Sequence, residues 1–181
     1  MARILSEKAL KLLPLLIVSV LVISVSAAVY NMMYMRSEPI AVEAAKVVFT
    51  TGTDSTAAGV TIGTNSTYVR LNGMKGWPNA TRYYEDPVEI KNNDASTRTI
   101  KVTFESWSGD TSAVESILVK VFNSGSVQQG TTITVGTPSS STGDITITAG
   151  SSYRVQWEIH WKATALSTNK VDITLSLRTN E

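Results

Sequence analysis

The sequence predicts an all-β fold, an antiparallel β-sandwich. Three observations predict it. Segments that alternate apolar and polar residues recur along the chain, the period of a half-buried strand. Clusters of Gly, Asn, Asp and Ser part them every dozen or so residues, the spacing of sandwich turns. Ser, Thr, Val and Ile dominate from Thr50 onward and no Thr precedes it, a composition suited to strands.

The elements follow in chain order. Short strands are expected at residues 47–49, 60–62, 68–71 and 88–90. TIKVTFE alternates strongly and puts Ile100, Val102 and Phe104 inward. One short helix is expected near residues 112–116. Further strands follow at 117–122, 133–135 and 145–148, with TPSSSTGD (137–144) as an exposed loop. YRVQWEIHWK is the clearest strand: Tyr153, Val155, Trp157, Ile159 and Trp161 share the core face, and Arg154, Gln156, Glu158, His160 and Lys162 the polar one. VDITLSLR closes the set with Val171, Ile173, Leu175 and Leu177 inward.

The start of the chain is a different material. Arg3, Lys8 and Lys11 lead into LLPLLIVSVLVISVSAAV, a basic region before an apolar one, the signature of export. Small residues around Val25-Ser26-Ala27-Ala28 offer cleavage positions. The run from 12 to 29 is also about long enough to span a bilayer uncut. Residues 1–27 are therefore a signal peptide or a membrane anchor. Processing before the apolar run, as in type IV pilins, has less support, because SEKALKLL lacks a basic pair followed by a small residue. Residues 28–38 form an extended apolar segment with a joint at Arg36-Ser37-Glu38-Pro39, and 39–181 the sandwich domain.

Composition excludes much. The net charge of +1 gives no reason to expect a nucleic-acid partner. There is no Cys and a single His, so disulfides, thiolate metal sites and most imidazole clusters are unavailable. His160 falls on the polar face of its strand and reads as a solvent-facing residue. No catalytic set, metal site or cofactor is expected. Glu85-Asp86 and Asn92-Asn93-Asp94 carry oxygen ligands of the calcium type, but their spacing fits turn chemistry better. Asn65-Ser66-Thr67 and Asn79-Ala80-Thr81 are candidate N-glycosylation acceptors. Trp77-Pro78 reads as a loop with its aromatic packed down. Trp107, Trp157 and Trp161 read as core or sheet-face residues.

Three segments carry a family resemblance: the apolar run leading straight into AAVYNMMYMR, then YYEDPVEIKNNDASTRTIKVTFES, then DITITAGSSYRVQWEIHW. Together they resemble the camelysin/TasA-type proteins of bacterial biofilm fibres, especially their archaeal relatives that form bundling pili. The resemblance implies a jelly-roll sandwich whose subunits polymerise outside the cell, each inserting its N-terminal strand into its neighbour, with bundling between filaments, adhesion and a biofilm matrix as the role. Some family members are described as proteases, and related tubule-forming proteins bind calcium; no residues here match either role. The expected donor strand is Val29, Tyr30, Met32, Met33, Tyr34 and Met35. Ten extended residues span roughly 33 Å, and methionines mould to irregular pockets. A head-to-tail contact of this kind does not close on itself and yields a filament. The competing expectations are a membrane-anchored surface domain that binds a ligand or protein and, with least support, a secreted hydrolase.

Overall fold

The computed structural model describes residues 43–180. The expected leader, donor segment and joint lie outside the described residues. Within them the chain is mostly strand with almost no helix, and every sheet pairing is antiparallel. An all-β fold is what the alternation predicted.

The strands run β1 (Val47–Thr51), β2 (Val60–Ile62), β3 (Val69–Leu71), β4 (Thr81–Asn92), β5 (Arg98–Gly109), β6 (Val114–Phe122), β7 (Gln128–Thr134), β8 (Ile145–Ile147), β9 (Ser152–Trp161) and β10 (Val171–Asn180). A single helical turn, α1 (Ser55–Ala58), follows β1. Five strands form one sheet in the order β1-β4-β9-β6-β7, three form a second in the order β10-β5-β8, and β2-β3 is a separate hairpin. Both larger sheets feed one buried apolar cluster. Tyr84, Ile90, Val119, Val121, Val155 and Trp157 enter it from the first, and Ile100, Val102, Phe104, Ile145 and Ile147 from the second.

Every expected strand exists, but several are longer than the alternation revealed. β4 begins at Thr81 rather than 88. Its pairing with β9 shifts between Tyr84 and Val88, and Glu85, Asp86 and Pro87 occupy the irregularity. Proline has no N–H to give a ladder, so a bulge is where a strand tolerates it. β7 begins at Gln128, well before the expected 133. The expected helix at 112–116 is a 3₁₀ turn at Thr111–Ala113, and β6 already starts at Val114. There the β-branched Val and Ile continue the alternation, and pairing with β9 outweighs the local preference.

The loop 137–144 is only partly exposed. Thr142 is 1% exposed, because the loop lies along β5. Thr142 N–H donates to Val102 O at 2.9 Å and its Oγ1 accepts from Val102 N–H at 3.1 Å. Phe104 N–H donates to Ser140 O at 2.8 Å. A loop thus acts as the strand that β8, paired only to Arg98–Ile100, is too short to be.

Candidate functional site

Function by strand addition needs an unpaired edge beside apolar surface, and the two larger sheets present four edges, β1, β7, β8 and β10. β1 offers five residues, and its Phe49 N–H already donates to Ser66 O at 2.8 Å. β7 is held by the loop: Thr131 N–H donates to Thr142 O at 2.8 Å and Thr131 Oγ1 to Ser141 O at 2.6 Å. β8 and that same loop fill one side of β5. β10 is different. All ten of its residues pair with β5 on one side, and no strand among the described residues lies on the other.

The inward face of β10 is also incomplete. Val171, Ile173, Leu175 and Leu177 point inward as predicted and pack on the core, but each is only half-buried. Opposite Leu175 and Leu177 on β5, Phe104 and Val102 are buried, whereas Trp107 opposite Ile173 is half-buried and Gly109 opposite Val171 exposed. Thr179 pairs with buried Ile100, and its hydroxyl is buried without a hydrogen-bond partner. Charged Asp172 and Arg178 face out, and no proline blocks the edge. Sequence alternation gave these side chains their face; it held no sign that the strand would be an outer one.

β9 sits between β4 and β6. Tyr153, Val155, Trp157 and Ile159 are buried as expected, while Trp161 is only half-buried. It closes the sheet end against Gly76, where a Cβ would come within 2.5 Å of Trp161 Cδ1. The polar face is not open to solvent either. Gln156 is buried, its Nε2 donating to Glu85 Oε2 at 2.8 Å. Lys120 pairs with Glu158, and the Arg154 guanidinium lies over the Phe122 ring at 5.0 Å. His160 is half-buried rather than solvent-facing. Register places Thr81 and Ser116 on either side of it, and the row ends there because β1 and β7 pair only with other stretches of β4 and β6. The cross-strand neighbours of the imidazole are thus hydroxyl-bearing, and Glu158 shares its face two residues away along β9.

The oxygen-rich turns are occupied by the fold itself. Asn92 is fully buried, and its Nδ2 reaches Ser96 O (2.9 Å), Ile147 O (3.1 Å) and Thr148 O (3.3 Å), while Oδ1 accepts from Asp94 N–H at 3.0 Å. The amide ties β4 of one sheet to β8 of the other. The Asp94 carboxylate takes Arg98 Nε at 2.6 Å, and this bond holds its pKa below the usual carboxylate range. Asp54 Oδ2 accepts from Glu85 N–H (2.8 Å) and Asp86 N–H (3.1 Å), and Asp86 Oδ2 from Thr53 N–H (3.0 Å). Gly52 is required at this junction, since a Cβ there would land on Asp86 Oδ1 and its carbonyl. No group of three or more His, Cys, Asp or Glu residues suited to a metal occurs among the described residues. A shallow polar cleft of about 480 Å³ lies beside Asp86, Glu89, Asn123 and Arg154.

Both sequon asparagines are exposed and stand on turns. Trp77 does not pack down: it is 58% exposed, with the Arg82 guanidinium over its ring at 4.8 Å. Tyr83, 53% exposed, stands on the neighbouring strand. Val29, Tyr30, Met32, Met33, Tyr34 and Met35 fall outside the described residues. No helix among the described residues is long and apolar enough to cross a membrane.

No protein-family model matches the chain, and no curated protein matches it either.

Proposed function

We propose that this chain is the structural subunit of an extracellular filament or pilus, a jelly-roll-like sandwich that polymerises when the N-terminal segment of one copy adds to the open edge of the next. The reading includes export and leader removal, a homopolymer joined head to tail, bundling with neighbouring filaments, and a role in adhesion and biofilm matrix. It assigns no catalytic activity and no cofactor.

One observation carries it. β10 is a ten-residue edge strand, with no strand among the described residues on its outer side and its inward side chains half-buried, and the chain holds a matching ten-residue apolar segment, AAVYNMMYMR. An incoming strand would pair the free N–H and C=O groups of β10 and cover Val171, Ile173, Leu175 and Leu177 together. The other edges of the sheets are shorter or already bonded to the chain's own loops, which favours β10 as the acceptor.

The test is a photo-reactive residue in place of Tyr34 in the full chain, irradiated under assembly conditions. Crosslinks from Tyr34 of one copy to residues 171–180 of another support the reading. Crosslinks confined to lipid would favour a membrane-anchored surface domain instead. Intermolecular crosslinks to β1 or β7 would move the acceptor.

A further inference from the structure

The two sequons stand on unlike turns. Trp77-Pro78-Asn79-Ala80 closes on itself, Ala80 N–H donating to Trp77 O at 3.4 Å. Proline in the second position and Asn79 at φ 55° in the third make the pattern of a type II turn. Asn79 N–H donates to Trp161 O at 3.0 Å, which fastens the turn to the end of β9. The same turn presents Trp77. Arg82 occupies one face of the indole and also lies over the Tyr84 ring at 4.8 Å. Tyr84 is buried, so the arginine links the exposed indole to the core and holds it in place. Asn65 has no such neighbour before it: Gly63 and Thr64 precede it, and its turn is closed by Ser66 N–H donating to Gly63 O at 2.9 Å.

We propose that Asn79 is an N-glycosylated residue and that the first sugar of its glycan lies on the open face of Trp77. In the modification, Asn79 Nδ2 attacks the anomeric carbon of a polyprenyl-phosphate-linked oligosaccharide. The C–N bond forms, the bond from that carbon to the phosphate oxygen breaks, the lipid phosphate leaves, and the amide gives up one proton to the transferase's base. The C–H face of a sugar ring carries partial positive charge and is apolar; the indole face is apolar and negative. The turn places ring and asparagine two residues apart on one corner, and the Arg82 contact fixes the ring in advance, which lowers the ordering cost of stacking.

The inference rests on the export reading, since the acceptor meets its donor only after translocation. The experiment therefore places an added export leader before the full chain in a glycosylating host. Peptide mapping by mass spectrometry reads occupancy at Asn65 and Asn79, and melting temperatures are taken for the wild type, Asn79→Gln, Trp77→Ala and the double variant. Asn79 is expected to be occupied. Its glycan should raise the melting temperature by about 2–4 °C, a difference that disappears with Trp77→Ala and returns with Trp77→Tyr. An unmodified Asn79 in the translocated chain overturns the site, and a glycan effect unchanged by Trp77→Ala overturns the platform. Should Trp77→Ala fail to fold, NMR contacts between indole and sugar-ring protons in the glycosylated wild type decide the point: their presence supports the stack and their absence overturns it. Retention inside the cell of the same chain lacking the added leader, with Asn79 modified when the leader is present, would count against native export and not against Asn79.

Discussion

Three residues show how single side chains set the stability of this fold. Trp157 is buried on the central strand, and its Nε1 has no hydrogen-bond partner. Trp157→Ala should cost about 3–5 kcal/mol through lost burial and a cavity. Trp157→Phe should cost far less, because the N–H it removes is unpartnered; denaturant titration of the two variants separates burial from hydrogen bonding. Thr142 works the opposite way. Its hydroxyl supplies the acceptor for Val102 N–H, so Thr142→Val keeps the volume and orphans a buried donor. A loss of about 1–3 kcal/mol is expected, with faster hydrogen exchange at the Val102 amide. Asp94 supplies a pH dependence. Arg98 lowers its carboxyl pKa in the fold, so its contribution is complete at neutral pH, above the ordinary carboxylate value. It is lost as pH falls through the lowered one. The pair is near the surface and the effect small. Acid unfolding of Asp94→Asn should converge with that of the wild type at low pH and fall below it near neutrality.

At the scale of elements, the contrast between β9 and β10 matters most. Both alternate cleanly in sequence. β9 is paired on both sides and buried along most of its core face, and its polar row, half-buried except for buried Gln156, is tied up through Gln156, Glu158 and Arg154. Among the described residues β10 is paired on one side, and its apolar row is half-buried. The proposed partner of β10 is apolar on both faces, as a strand laid between layers can be. Met33→Asp should bury an unpartnered carboxylate and stop or sharply slow filament growth, while Ser37→Asp in the joint should be tolerated. Sedimented filament mass decides between them. Equal assembly of the two variants would remove the donor strand from the account.

For the whole molecule, the two larger described sheets share one apolar core built from residues between Val47 and Leu177. A chain beginning at Ser37 is therefore expected to fold, with β-type circular dichroism, yet to remain monomeric. It should also bind an added peptide of residues 28–36, since the vacant edge would still be present. Normal filaments from this shortened chain would contradict assembly by strand addition. Two-state unfolding of the shortened monomer provides the control that the domain is intact.

The sequence by itself determined the β class, the existence of all ten strands and the inward rows of β5, β9 and β10, because alternation is a local property that burial of one face imposes on any strand. It also marked the apolar segment and both sequons. Tertiary structure alone decided which strands became neighbours, and hence how much each face is covered. That is why Gln156 is buried, why Thr142 in a polar loop reaches the core margin, and why β4 continues through Glu85, Asp86 and Pro87, whose charges and missing N–H fit a bulge held by Asp54 and Gln156. It is also why Trp77 stands out while Trp161 packs against Gly76. The edge position of β10 among the described residues belongs to the same category: a strand becomes an edge only through which other strands pair with it.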